Sequence, residues 1–160
     1  MKLVAQRTIQ ISIPKLQVQA RAQLLEDRAP ATCQAIWDQL SQPLEVVGTH
    51  AMWTGPEVSM QVPPDQAIAD LAQIPPENQT VFPQPGALVW AYLPPRVFGG
   101  MPGPLYDLGL FYGPQGRIFL PIGWVPCNHF AHLEGDWEEF QQACRRLLTE
   151  GRQTLVFERG

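Results

Sequence analysis

Residues 26–43 read EDRAPATCQAIWDQLSQP, and this stretch decides the fold because the hydrophobic period changes within it. Its apolar residues recur at three- and four-residue spacings, which places them on one side of a helix; they are Ala29, Cys33, Ile36, Trp37 and Leu40. Asp27 is the candidate N-cap, and Pro30 fits the first turn, where its missing N–H would have no partner. Because Pro43 prevents continuation, the stretch predicts one short helix.

Alternating apolar residues on both sides of this helix predict strands. From Thr8 to Leu24 two runs have a period of two, which is typical of a β-hairpin with one buried face. Beyond the helix, β-branched and aromatic runs predict strands at residues 44–53, 57–62, 87–92 and 154–158, and a second hairpin at residues 108–120 that reverses at residues 113–116.

A second helix and two long loops complete the pattern. Asp136 and Glu139 have the spacing of a capping box before an apolar stripe, and Gly151 suits the end of that helix. Residues 63–86 and 93–104 are rich in Pro and Gly and predict surface excursions. We therefore expect a single, mainly β domain over residues 1–160, with one helix near each end.

Composition excludes several classes of partner. The net charge of −4 and the scarcity of adjacent basic residues predict no basic surface that would bind nucleic acid or anionic lipid. No apolar run approaches the length of about 20 residues that a membrane span needs, and the start of the chain lacks a secretory pattern. We expect a cytoplasmic protein.

The cysteines give no sign of a disulfide framework or a zinc ribbon. Cys33, Cys127 and Cys144 are an odd number without paired spacing. Free cysteine behaves as a small hydrophobe, so we expect three buried thiols. The sequence predicts no metal and no cofactor.

Several motifs resemble those of cyclophilins. Asp27, Pro30 and Thr32 match the D-x-x-P-x-T pattern that opens the first cyclophilin helix, and Glu134-Gly135 resembles the E-G before the last one. The chain more closely resembles an uncharacterised family of bacterial cyclophilin-like proteins, whose motifs correspond here to residues 24–32, 50–57 and 128–131. The resemblance implies a closed eight-stranded β-barrel capped by two α-helices, with a binding groove on its outer wall.

The same resemblance argues against prolyl isomerase chemistry. Cyclophilins use an arginine that hydrogen-bonds the prolyl nitrogen and weakens amide resonance, and it stands just after the first helix. The corresponding stretch here, THAMWTGPEVSMQVP (49–63), has no cation, and no Lys or Arg occurs between Arg28 and Arg96. The catalytic residue is missing.

The candidate ligand-binding residues are His50, Trp53, Glu57, Asn128 and His129. The first three flank a turn and could line an aromatic pocket with a polar rim; the alternative is a core indole, a solvated carboxylate and a hydrogen-bonded histidine. We expect this groove to bind a small molecule or a short peptide. Arg96 is the nearest cation for a carboxylate-bearing ligand, although a solvated loop residue is the simpler interpretation.

Two other functions remain open. An enzyme could be a weak isomerase using Arg96 or Arg117, or a hydrolase built on His50, Glu57 and His129. A metal site at Cys127 and His129 is weaker, because a regular strand would place His132 on the opposite face and a third ligand such as His50 would have to come from another strand. A nucleophilic pair of Cys127 and His129 is weaker still, because neighbours on one face of a strand lie side by side rather than converge. Alternatively the protein acts by assembly, and we expect a homodimer whose contact uses apolar loop residues; these are Val81, Phe82, Val97, Phe98 and Met101.

Overall fold

The computed structural model describes residues 5–160. Its strands are β1 (Thr8–Ile13), β2 (Val18–Leu24), β3 (Leu44–His50), β4 (Glu57–Gln61), β5 (Gln79–Thr80), β6 (Ala87–Leu93), β7 (Leu105–Phe111), β8 (Phe119–Leu120), β9 (Gly123–Trp124), β10 (Cys127–Glu134) and β11 (Gln153–Arg159). The α-helices are α1 (Pro30–Gln39) and α2 (Glu138–Glu150).

Eight of the strands form a closed antiparallel barrel. They follow the order β2-β1-β11-β3-β4-β7-β6-β10, and β10 pairs with β2 to close the sheet. Alternate side chains fill the interior, as the period of two predicts; Ile9, Ile11 and Ile13 of β1 are each fully buried there. The predicted mainly β fold, an eight-stranded barrel with two helices, is confirmed.

Neither helix begins with the predicted cap. The N-cap of α1 is Ala29 rather than Asp27, and it makes no side-chain cap. Glu77, distant in sequence, performs that task by accepting hydrogen bonds from the Thr32 backbone N–H at 2.6 Å and from its hydroxyl at 2.7 Å. Tertiary contact has replaced local capping, which the sequence around Asp27 could not indicate.

The capping box of α2 is also absent. Its N-cap is Trp137, and Asp136 accepts one hydrogen bond from the backbone N–H of Glu138 at 3.1 Å. The helix begins one residue later than the spacing of Asp136 and Glu139 predicts, so the reciprocal pair cannot form. The apolar stripe is as predicted, with Phe140, Cys144 and Leu147 buried.

The predicted hairpin over residues 108–120 is wrong. β7 ends at Phe111, and β8 pairs with β9 instead of returning along β7. Both edges of β7 are already occupied, by β4 and β6. The chain after β7 therefore packs on the β3–β4 loop, where Thr54 accepts a hydrogen bond from the Arg117 N–H at 3.0 Å.

A β-bulge interrupts β10. The register with β6 shifts between His129 and Ala131, so Phe130 and Ala131 both pack into the core although they are adjacent. His129 and His132 consequently share a face, with ring centroids 5.7 Å apart. The prediction that these histidines face opposite ways is wrong, because strict alternation fails at a bulge.

The Pro-rich excursion after β4 packs on the barrel in part. It contains a 3₁₀-helix (Ala69–Gln73) with the fully buried Leu71, and then the short strand β5, which pairs with β10. Among the described residues, no helix has both the length and the apolar character needed to cross a membrane.

Candidate functional site

A groove of about 550 Å³ lies on the outer wall of the barrel. Its floor is the outward face of β4, β7 and β6, and its sides come from the β3–β4 loop, the β6–β7 loop and the segment around β8 and β9. Val89, Phe111, Ile118 and Cys127 form a buried apolar cluster beneath it. This cluster is separate from the core inside the barrel, because its side chains point outward from the barrel wall.

Two carboxyl groups lie on the floor of this groove. Glu57 begins β4, and Asp107 lies on the neighbouring strand β7, both on the outward face. Glu57 is only 6% exposed, and its Oε2 accepts a hydrogen bond from the hydroxyl of Thr54. The structure therefore buries a side chain that the alternative interpretation of the sequence left in solvent.

A glycine makes room for the Glu57 side chain. Gly109 lies opposite Ser59 on β7, between Asp107 and Phe111 on the outward face. A Cβ atom added there would collide with Oε1 of Glu57 and approach Cγ2 of Val89 to 2.9 Å. Only a residue without a side chain lets the Glu57 carboxyl lie across β7 toward Asp107.

Burial makes both carboxyl groups hard to ionise. It raises the pKa of Glu57 to about 8, and the neighbouring charge of Asp107 raises it further while the Thr54 hydroxyl opposes the change. Burial also raises the pKa of Asp107, to about 7. Since the two groups share one environment, the pair retains a proton at neutral pH.

Asp107 has no hydrogen-bond or ion-pair partner among the residues that the structure describes. Among residues 5–160, no side chain or backbone N–H donates a hydrogen bond to it, and no ion pair includes it or Glu57. Its side chain is partly exposed to the groove. Its oxygens are open to the groove, so water or the donors of a ligand can supply the missing hydrogen bonds.

Aromatic side chains cross the groove. Trp53 in the β3–β4 loop and Phe98 in the β6–β7 loop contact each other, with ring centroids 6.1 Å apart. These loops lie at opposite ends of β7, because Glu57 pairs with Phe111 and Leu93 pairs with Leu105. The contact between Trp53 and Phe98 therefore runs parallel to β7, and the two rings partly cover a short groove.

Three of the five predicted ligand-binding residues line this groove, namely His50, Trp53 and Glu57. His50 is already engaged: its Nε2 lies 2.6 Å from the hydroxyl of Tyr112, and its Nδ1 lies 2.9 Å from the Ala51 carbonyl. Its imidazole therefore positions the end of β3 against Tyr112.

The other two predicted residues lie outside the groove. The Asn128 amide is buried, donates to the Thr32 hydroxyl at 3.0 Å and the Pro75 carbonyl at 2.9 Å, and accepts from the Glu77 N–H at 3.2 Å. His129 lies beside His132, and its buried Nε2 has no hydrogen-bond partner in the described part of the chain. Burial and the neighbouring His132 lower the pKa of His129.

The three cysteines are free and buried, as predicted. Cys127 lies against the groove, where burial and the charges of Asp107 and Glu57 raise the pKa of its thiol, so it remains a neutral thiol rather than a thiolate nucleophile. Within residues 5–160, no three His, Cys, Asp or Glu side chains are grouped as a metal site requires.

Sequence reasoning missed Asp107, Gly109 and Arg152. The predicted strand began at Leu108, which left Asp107 at the end of a loop, whereas β7 begins at Leu105. Asp and Gly are depleted in strands, so two of them on one face of LYDLGLF were an available signal. Arg152, rather than Arg96, is the basic side chain at the rim, and no local pattern marks it.

Comparison with known proteins identifies the family. Residues 11–158 match the family described as protein of unknown function (DUF3830). The chain belongs to this family. No match was found among curated proteins.

Two solved structures have similar folds. McbB, in a structure titled as its complex with tryptophan, aligns with a TM-score of 0.68 and 17% identity over 94% of this chain and 44% of McbB. This chain therefore spans less than half the length of McbB. The hypothetical protein AF2241 from Archaeoglobus fulgidus aligns with a TM-score of 0.57 and 16% identity over 97% of this chain and 95% of AF2241. At these identities the likeness shows the fold alone, and the closer relation to cyclophilin-like proteins stays a prediction.

Proposed function

We propose that the protein binds a small molecule in the groove on the outer wall of the barrel. The observation that carries this proposal is the combination of apolar walls with two carboxyl groups on the floor, the buried Glu57 and the partly exposed Asp107. Small-molecule sites are concave and mostly apolar, with a few polar groups that fix orientation, and their volumes are about 300–1,000 Å³. The groove, at about 550 Å³, has these properties.

The aromatic contact across the groove favours a small molecule over an extended peptide. A peptide running along β7 would have to pass the Trp53–Phe98 contact, whereas a compact ligand can lie beneath it. The tryptophan named in the McbB structure is of suitable size for such a space. Tryptophan and related indoles are accordingly good first probes.

Small-molecule binding to the wild type and to a variant whose groove is filled by a larger side chain tests this proposal. Protein-observed NMR with a library of small aromatic and aliphatic compounds should shift the amide signals of residues 51–57 and 105–111. Ala91 points into the groove from β6, so Ala91→Trp should abolish these shifts. Glu45 is exposed on β3 and does not line the groove, which makes Glu45→Trp the matched control. Ligands that bind equally to the Ala91→Trp protein would contradict the proposal.

A second candidate function is general acid–base catalysis in the same groove. A carboxyl pair that retains a proton near neutral pH can donate and accept protons, which favours this function. The triad of His50, Glu57 and His129 considered from the sequence is not the arrangement we propose, since His129 lies beside His132 on β10. Glu57 and Asp107 would carry the proton transfer instead.

Hydrolysis of chromogenic esters and amides tests this second function. We expect any rate above that of buffer to be lost in both Glu57→Gln and Asp107→Asn and kept in Glu45→Gln. A rate that survives in both groove variants would exclude the carboxyl pair as the acid–base group.

A further inference from the structure

We propose that Glu57 and Asp107 together recognise a protonated amine, so that the ligand of the groove is an ammonium group carried on a compact apolar body. This inference rests on the proposed function, because it names the ligand class of the same groove. It follows from the geometry of the two carboxyl groups, the lack of donors around them and the nature of the walls.

The two carboxyl groups present free acceptors to the groove. Thr54 occupies one oxygen of Glu57, whereas Oε1, which lies over Gly109, accepts no hydrogen bond from the described residues. Asp107 accepts none on either oxygen within residues 5–160. An ammonium group has only donors, up to three, and therefore matches these oxygens once the proton that the pair retains has left.

The charge around the pair also favours a cation. The other charged or titratable side chains of the groove are His50 at the end of β3, Cys127 on β10 and Arg152 before β11. The Cys127 thiol is neutral, and His50 is engaged with Tyr112. Arg152, Thr49, Ser59 and Gly109 are cross-strand neighbours on four successive strands of the sheet. Three interstrand spacings separate the backbone of Arg152 from that of Gly109, which is about 14 Å. Among residues 5–160, no cation therefore forms an ion pair with either carboxyl group.

The walls favour an organic cation over a metal ion. Calcium and magnesium take six or more oxygen ligands, including water, in a polar shell. The groove is lined mainly by apolar side chains such as Val89, Ala91, Phe98 and Ile118, and the polar side chains next to the carboxyl groups, Thr54, Ser59 and Gln61, are uncharged. Within residues 5–160, no third His, Cys, Asp or Glu is grouped with Glu57 and Asp107 as a metal site requires. The exposed ring of Trp53 and the half-buried ring of Phe98 line the groove and can add a cation–π contact.

Matched ligand pairs test this inference. Tryptamine and tryptophol, and 2-phenylethylamine and 2-phenylethanol, differ only in an ammonium or a hydroxyl on the same body. Isothermal titration at pH 7 should show each amine binding at least about tenfold more tightly than its alcohol. Glu57→Gln and Asp107→Asn should remove this preference, whereas Glu45→Gln, which deletes a carboxylate elsewhere, should keep it. Circular dichroism confirms that each variant folds.

Proton release gives a second readout that a structural role would not produce. An ammonium ion stabilises the ionised form of both carboxyl groups, so the proton that they retain must leave on binding. Titrations in two buffers of different ionisation enthalpy should show release for the amines and none for the alcohols. The release should fall in Glu57→Gln, where only Asp107 can lose a proton, and disappear when Asp107→Asn is added.

The outcomes separate the two proposals. If amines and alcohols bind equally and the NMR shifts map to the groove, the amine inference is overturned and the proposed function stands. If calcium or magnesium binds at micromolar concentration and displaces the amines, the site is a cation site of another class and the inference is also overturned. If no compound shifts the groove signals, both proposals fail.

Discussion

Glu57 is the residue on which the chemistry of the groove depends. Its ionisation should be measurable as a pH dependence of the free energy of unfolding. Unfolded, a glutamate titrates near its ordinary value of 4.5, whereas burial raises the pKa of folded Glu57 to about 8. Between these values the folded state binds more protons than the unfolded state. The free energy of unfolding contributed by this group therefore falls as the pH rises from about 4.5 to 8.

The change Glu57→Gln should remove this dependence. We expect the variant to gain stability relative to the wild type as the pH rises from 5 to 8.5, measured by urea unfolding at several pH values. The titrating groups outside the groove are common to both proteins, so the difference reports on the carboxyl pair of Glu57 and Asp107. The stability of Glu45→Gln should change with pH as that of the wild type does. The same pH dependence in Glu57→Gln would contradict the prediction, because it would show that folding does not raise the pKa of Glu57.

At the scale of elements, a polar network joins α1, the Pro-rich excursion and β10. Asn128 supplies three of its hydrogen bonds, to Thr32, Pro75 and Glu77. Asn128→Ala would leave buried partners unsatisfied, so we expect a loss of about 2–3 kcal/mol in the free energy of unfolding by urea titration. Gln79→Ala, at an exposed position opposite Asn128, should change it by less than about 0.5 kcal/mol. An equally small effect for Asn128→Ala would show that water replaces the network.

Elements that follow from a local hydrophobic period could be predicted from the sequence, whereas features that depend on contacts distant in sequence could not. β1, β2 and α1 follow from periods of two and 3.6, because each has one buried face. The caps and the path after β7 depend on residues far along the chain, such as Glu77 for Thr32 and Thr54 for Arg117. The bulge at His129 breaks alternation without a Gly or Pro to mark it.

The same distinction explains the site. His50, Trp53 and Glu57 are close in sequence, and the motif around them indicated that they line one groove. Asp107 joins Glu57 only because β7 pairs with β4, and Asn128 turns inward to a network that no local pattern shows. Cross-strand partners of this kind require the sheet order, which the sequence alone does not supply.

At the scale of the whole molecule, the barrel should not catalyse prolyl isomerisation. The floor of the groove carries acceptors rather than the guanidinium that would bind a prolyl nitrogen, and neither Arg96 nor Arg117 lines it. We expect no rate above the uncatalysed reaction in a protease-coupled prolyl peptide assay. A rate proportional to protein concentration, and lost in Arg152→Ala, would assign that role to the arginine at the rim.

The homodimer expected from the sequence stays a prediction. Phe82, Val97 and Met101 are 59%, 45% and 45% exposed, and exposed apolar loop residues often mark an interface. Since Phe98 contacts Trp53, Val97 and Met101 are the better pair to replace. Light scattering should give about twice the chain mass of 17.9 kDa, and Val97→Ser with Met101→Ser should return it to one chain. A monomer for the wild type would contradict the prediction.

The carboxyl pair on the outer wall is the central feature of the molecule, because the binding, amine and acid–base proposals all use it. Titration of the side-chain carboxyl carbons by ¹³C NMR, assigned with Glu57→Gln and Asp107→Asn, measures it most directly. We predict that both signals titrate far above the ordinary carboxyl range, with Glu57 near 8 and Asp107 near 7. Titration of both groups near 4 would show that both carboxyl groups are fully hydrated, and it would contradict this account of the groove.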